Sequence, residues 1–242
     1  MSRNFAFFVL FFVFLLCLTT VDSAQSLAIG VGVGDSFRYG NVSATWSSTD
    51  PDFTPEQNIR NFFDTDYMLL TITDVDIGET TIYMRLDWRF KNGTHKTSNH
   101  YTNVNTGDRN ITTFFIAAYL QAGNHMYPGT LESPTIDEVV SKAYASVSRE
   151  TNRITYSQTG YYNITYDVYM DQATGALVEL NGVQTRNDGQ YETTETIFIE
   201  ITGSNVWVVP EFPSLIILPL FMIITLLAAL IYRRNRKHVK TP

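Results

Sequence analysis

The stretch Thr80-Thr81-Ile82-Tyr83-Met84-Arg85-Leu86-Asp87-Trp88-Arg89-Phe90-Lys91 decides the fold. In an extended chain, successive side chains point to opposite faces. Ile82, Met84, Leu86, Trp88 and Phe90 therefore share one side, and Tyr83, Arg85, Asp87, Arg89 and Lys91 the other. Alternation of this length marks a strand with one buried face and one wet face. Asn92-Gly93 follows, a pair that accepts positive φ and reads as a type I′ hairpin turn. The next strand, Thr94 to Val104, then has to pair antiparallel with the first.

Outward from this hairpin the same period recurs. Tyr162, Ile164, Tyr166, Val168 and Met170 alternate with Tyr161, Asn163, Thr165, Asp167 and Tyr169, and Asp171 to Gly175 turns this strand into a partner over Ala176 to Thr185. A last strand, Tyr191 to Thr202, follows the Asn187-Asp188-Gly189 turn and puts Ile197, Ile199 and Ile201 on one face. Ser36 to Trp46, Tyr67 to Asp74 and Arg149 to Gln158 are further strands. Helix is scarce: Thr54, Pro55 and Gln57 read as an N-cap, a first-turn proline and a capping-box partner for a short helix to about Phe62. Thr112 to Ala122 reads equally as a helix closed by Gly123 or as a buried extended segment, and Pro134 to Ala143 as helix or strand. The expected fold is mainly β: about ten antiparallel strands in one curved sheet or half-barrel, with a two-sheet β-sandwich as the alternative.

The two ends of the chain carry a different message. Phe5 to Leu18 is an apolar run behind Arg3 and ahead of small and polar residues, the order of a cleavable signal peptide, with cleavage expected after Ala24. Cys17, the only cysteine, leaves with it, so the exported domain holds no disulfide and depends on its core. Phe212 to Tyr232 is 21 residues long, and at 1.5 Å per residue it reaches about 30 Å, one bilayer crossing. Arg233, Arg234, Arg236, Lys237 and Lys240 follow without an acidic residue, which places the C-terminus in the cytoplasm. The division is thus a signal peptide over 1–24, an extracellular β-rich domain over 25–209, a transmembrane segment with its preceding motif over 210–232, and a basic cytoplasmic tail over 233–242. The expected location is the cell membrane, crossed once with the large domain outside.

Without Arg3, Asp22 and the five basic residues of the tail, 11 basic residues stand against 23 acidic ones, a balance near −12. Such a surface argues against nucleic acid as a partner. The chain contains no His-Glu-x-x-His, Gly-x-Ser-x-Gly, phosphate-binding glycine loop or cysteine pair, so no catalysis, cofactor or metal is expected. His95 and His100 are five apart on one strand and so on opposite faces. Asp74-Val75-Asp76-Ile77-Gly78-Glu79 starts like a calcium loop but lacks its later ligands, and a turn with Gly78 at positive φ accounts for it.

Four sequons, at Asn41, Asn92, Asn110 and Asn163, are candidate glycosylation sites in an exported chain. Tyr101, Tyr161, Tyr162, Tyr166, Tyr169 and Tyr191 are candidates to line a surface for an apolar or carbohydrate ligand on the concave face of the sheet, the alternative function, although tyrosine is also a good strand former. Val104-Asn105-Thr106-Gly107 echoes Gln172-Ala173-Thr174-Gly175, and Gly34-Asp35-Ser36-Phe37-Arg38-Tyr39 echoes Gly123-Asn124-His125-Met126-Tyr127, a faint sign of two similar halves.

The run Val209-Pro210-Glu211-Phe212-Pro213-Ser214, an apolar span and then Arg233-Arg234 resemble the PEF-type C-terminal sorting signals of archaeal surface proteins. That resemblance implies Pro210, Glu211, Phe212 and Pro213 as the motif an archaeosortase would recognise, replacing the helix with a lipid. Val33 to Tyr39, Phe90 to Thr94, Asp171 to Gly175 and Glu211 to Ser214 are together similar to a group of uncharacterised archaeal secreted surface proteins. The resemblance implies location and topology and brings no activity with it. The topology, the sequons and the missing catalytic motifs give the expected function, a membrane-anchored protein with a structural or interaction role in the archaeal envelope, and the sequons make the glycosylation machinery a candidate partner.

Overall fold

A computed structural model describes residues 27–55, 57–187 and 189–207. The expected signal peptide, the Pro210–Pro213 motif, the expected transmembrane span and the basic tail lie outside these residues. Among the described residues nine strands form one antiparallel sheet in the order β4-β3-β2-β1-β9-β8-β7-β6-β5. They are β1 (Ser36–Ser48), β2 (Thr65–Asp76), β3 (Thr81–Phe90), β4 (His95–Asn103), β5 (Glu138–Tyr144), β6 (Val147–Gln158), β7 (Tyr162–Asp171), β8 (Leu177–Asn187) and β9 (Glu192–Ser204). Two meanders, β1 to β4 and β5 to β9, are stitched by the β1–β9 pair. The chain thus builds one sheet, not the two of a sandwich. The only helix among the described residues is α1 (Gln57–Asp64), which starts later than its capping pattern suggested.

The alternation in β3 is used as the sequence implied: Ile82, Met84 and Leu86 are buried, and Tyr83, Arg85 and Arg89 are exposed. Phe37, Tyr39, Met68, Leu70, Ile72, Ile199 and Ile201 extend the same apolar face across the sheet. It is covered by the irregular segment between β4 and β5, in which Phe114, Phe115, Ile116, Ala117 and Ala118 are buried in succession. Phe115 meets Phe37 edge-on at 5.6 Å, and Phe114 lies 5.4 Å from Tyr39. The segment is held by backbone bonds, with Ile116 N–H donating to Gly175 O and Leu177 N–H to Phe114 O. It is a buried extended stretch, not a helix. Within Pro134 to Ala143, Glu138 to Ala143 is strand and forms most of β5, while Pro134 to Asp137 is irregular apart from an isolated bridge between Thr135 and His125.

Two turns differ from expectation. Phe90 N–H donates to Thr94 O, Gly93 N–H donates to Phe90 O, and Gly93 alone takes positive φ, at 84°. This is a three-residue loop with a left-handed glycine closing a bulge, not a two-residue type I′ turn. In the β2–β3 turn the positive φ falls on Thr80, at 54°, rather than on Gly78. Asp76 Oδ1 accepts the Glu79 N–H and the Thr80 hydroxyl donates to Asn103 Oδ1, contacts that hold Thr80 in place.

At the β5 end the sheet bends. Residues of β5 come within 8 Å of β9, although a flat sheet would hold strands four places apart at about 19 Å. Inside the bend, Lys142 Nζ lies 2.6 Å and Tyr144 Oη 2.9 Å from Glu179 Oε2 on β8. Arg153 bridges Asp167 and Glu138, and Lys142 sits 3.8 Å above the Tyr169 ring.

Candidate functional site

On the core-bearing face the apolar row of β9 runs Ile201, Ile199, Ile197 and then turns polar at Glu195 and Thr193. Register places Leu180, Gly182, Gln184 and Arg186 of β8 beside them, and Tyr166 and Tyr162 of β7 beside Gly182 and Arg186. Helix α1 and the loop before it cover this end: Ile59 is buried, and Phe53 stacks on Trp46 at 6.2 Å.

A pocket of about 290 Å³ opens between Ile59, Tyr162, Tyr166, Gly182, Gln184, Glu195 and Ile197. A smaller one of about 70 Å³ adjoins it, sharing Tyr162, Gln184 and Glu195 and adding Phe53, Arg186 and Thr193. Gly182 makes room for an aromatic wall, because a Cβ there would stand 2.6 Å from the Tyr166 ring. The Tyr166 phenol is raised above its usual range by burial first, and then by the charge of the buried Glu195 carboxylate and by Tyr156. The Arg186 guanidinium lies 4.9 Å over Tyr161 and 5.9 Å from Phe53. Ring faces, a carboxylate, an amide and a guanidinium thus converge on one cavity, the composition of a small-molecule site.

Of the six tyrosines singled out in the sequence, the structure brings Tyr162 and Tyr166 into the pocket and Tyr161 to its rim. Tyr101 packs near Tyr83 on β3, Tyr169 lies inside the bend, and the Tyr191 hydroxyl accepts from Gln190 Nε2. Ile59, Phe53, Gln184 and Glu195 were not singled out. Glu195 carried a signal, as a carboxylate on the buried side of an isoleucine row.

His95 and His100 do lie on opposite faces of β4, by the β3–β4 register. His100 joins a second polar cluster: its Nε2 is 2.7 Å from Ser98 Oγ and its Nδ1 is 3.2 Å from Asn110 Oδ1. The Tyr101 N–H also points at Asn110 Oδ1, at 3.1 Å, which fixes that atom as an acceptor. Neutral His100 therefore carries its proton on Nδ1 and accepts the Ser98 hydroxyl on Nε2. A nucleophile, a base and an orienting group are in line, yet the pocket under α1 and its annex do not border Ser98.

The sequons divide by which atom of the amide is held. Asn92 Oδ1 accepts from Thr94 N–H and Oγ, Asn163 Oδ1 accepts from Gly160 N–H, and Asn41 instead donates through Nδ2 to Glu200. All four asparagines are exposed. Among the described residues no group of three or more His, Cys, Asp or Glu could hold a metal ion, and no helix is long and apolar enough to cross a membrane. No protein-family model, no curated protein and no solved structure matches the chain.

Proposed function

We propose that the chain is a membrane-anchored protein of the archaeal cell surface with a structural or interaction role and no catalysis. Its interaction surface is the pocket beneath α1. The observation that carries this reading is the opposition of two ends of one strand. The chain leaves β9 at Ser204 and reaches Trp207, five residues before the apolar run that starts at Phe212. Glu195, in the pocket, lies nine residues back along the same strand, about 30 Å at 3.3 Å per residue. A domain anchored through Trp207 presents the pocket outward, where an external ligand meets it first.

Carbohydrate is the ligand class favoured by the lining. Tyr162 and Tyr166 offer ring faces for stacking, while Glu195 and Gln184 offer acceptors and donors for hydroxyls. The Pro210–Pro213 motif makes archaeosortase a partner, and cleavage there would exchange the helix for a lipid anchor.

The test is binding of the purified 25–209 domain to an array of envelope and extracellular glycans, alongside Tyr166→Ala. Saturable binding abolished by Tyr166→Ala is expected. Turnover of a glycan, peptide or ester by the same preparation would overturn the non-catalytic part, and binding that Tyr166→Ala leaves intact would overturn the placement of the site. Mass spectrometry of the mature native chain reads both ends and so reports the signal cleavage and the fate of the motif.

A further inference from the structure

Strand β4 is an outer strand of the sheet. In an antiparallel ladder, alternate residues turn their N–H and C=O groups away from the partner strand. Val104 N–H donates inward to Thr80 O, whereas Asn103 N–H donates outward to Asp108 O and Tyr101 N–H outward to Asn110 Oδ1. By the same alternation the groups of Asn99, Thr97 and His95 also point outward, where no described strand lies beside them. The loop after β4 thus caps one half of the edge and leaves the other open. An open edge is a template for another strand, and the nearest candidate is the same edge of a second copy.

Two sequons bracket this open half: Asn92 in the turn before β4, and Asn110 at the point where the cap begins. Both side chains are held by oxygen alone. Asn92 Oδ1 takes the Thr94 N–H at 2.9 Å and its hydroxyl at 2.6 Å, and Asn110 Oδ1 takes the Tyr101 N–H and faces His100 Nδ1. Among the described residues neither Nδ2 has a hydrogen-bond partner, and both asparagines are exposed. The atom that would carry a sugar is free while the atom that shapes the turn or cap is engaged, so a glycan fits without loss of a structural bond. Asn41 is the contrast, its Nδ2 being the engaged atom.

We propose that Asn92 and Asn110 carry N-linked glycans and that the pair keeps the open half of β4 from pairing with β4 of a second copy. The inference rests on the export reading above. In the transfer, Nδ2 forms a bond to the anomeric carbon of a lipid-linked oligosaccharide. The bond from that carbon to the carrier phosphate breaks, the phosphate leaves with the bonding electrons, and the Nδ2 proton is given up to solvent or base. A bulky, hydrated chain at each end of a short open edge leaves no room for a second backbone at hydrogen-bonding distance.

The experiment uses the full chain expressed in an archaeal host that glycosylates, with Asn99→Cys on the open edge as a reporter. Cys17 leaves with the signal, so this is the single thiol of the mature chain. Asn92→Asp and Thr112→Ala remove the two sequons while keeping the held oxygens of residues 92 and 110. Glycopeptide mass spectrometry is expected to find both asparagines modified, and the double sequon variant to give several-fold more disulfide-linked dimer through the reporter thiol on mild oxidation, with an unchanged melting temperature. Unmodified peptides at Asn92 and Asn110 from a signal-cleaved chain would overturn the proposal, as would modified peptides with no gain in crosslinking. An intact signal and an unexported chain would also overturn it, and the N-terminal peptide separates that failure of the export reading from a failure of the edge reading.

Discussion

Lys142 on β5 donates to Glu179 on β8 at 2.6 Å across two intervening strands. The bond is available only because the sheet bends, and Tyr144 reinforces it by donating to the same carboxylate oxygen. The pair is partly exposed, with side-chain accessibilities of 32% and 18%, so solvent screens it and its coupling is expected near 1 kcal/mol rather than that of a buried pair. A double-mutant cycle of Lys142→Met and Glu179→Gln by thermal melts checks this. Additive effects of the two changes would mean that the bend is set by backbone packing without help from the pair.

Alkali should unfold the domain through its phenols. Tyr39 is buried and donates to Leu177 O, and burial pushes its phenol far above the ordinary range. Tyr144 is raised in the same direction by burial and then by the Glu179 bond and charge. A raised folded-state value means that the native chain keeps protons which the unfolded chain releases near pH 10. The stabilisation is complete below about pH 10 and is lost as pH rises beyond it, at about 1.4 kcal/mol per pH unit for each phenol that stays protonated. Denaturant titrations between pH 8 and 12 should show this slope, shallower in Tyr39→Phe, which also loses about 1 kcal/mol at neutral pH with its hydrogen bond. A flat profile to pH 12 would contradict the assignment.

Legibility in the sequence followed the physics of each part. The strands were readable because Ile82, Met84 and Leu86 meet core while Tyr83 and Arg85 meet water. The run Phe114 to Ala118 could not show a period, since all five residues are buried and no face is left to be polar. Asn92-Gly93 suits a two-residue and a three-residue loop alike, and the Phe90–Thr94 pairing chose between them. Lys142 and Glu179, 37 residues apart, meet only through the bend, which no local pattern encodes. The pocket was half visible: Tyr162 and Tyr166 lay on one predicted face, while Ile59 and Phe53 arrive from an element whose placement the sequence does not state.

The echo between Val104–Gly107 and Gln172–Gly175 is real as a turn, which in each case opens one residue earlier, at Asn103 and Asp171. In each, the first side chain accepts the N–H three residues on, at 2.9 Å and 2.8 Å, and its carbonyl accepts the N–H of a glycine at φ 78° or 72°. The second echo is not shared, since Gly34 to Tyr39 opens β1 while Gly123 to Tyr127 lies in the covering segment. Energetically the two turns should differ. Asp171 is fully buried and takes a two-pronged bond from Arg149 at 2.7 and 2.9 Å. Asp171→Ala removes charge-assisted bonds from Arg149, whose side chain is 22% exposed, and should cost about 2–3 kcal/mol. Asn103→Ala removes neutral bonds only and should cost about 1–2 kcal/mol. Denaturation midpoints of the two variants decide the matter, and equal costs would mean that the Arg149 bond adds nothing to the turn.

Gly182 sets the width of the pocket under α1. An added Cβ would lie 2.6 and 2.7 Å from two carbons of the Tyr166 ring, closer than packed carbons can approach, so the ring must swing away. Gly182→Ala is expected to cost about 1–3 kcal/mol as an overpacking change and to abolish glycan binding by displacing one wall of the site. In the Tyr166→Ala background the clash is gone, and the same substitution should be neutral or mildly stabilising because alanine loses less backbone freedom than glycine. Non-additivity of this kind isolates the ring-to-glycine contact from any general intolerance of β8. An equal cost of Gly182→Ala in both backgrounds would place the strain elsewhere and leave Tyr166 without its role as the wall of the pocket.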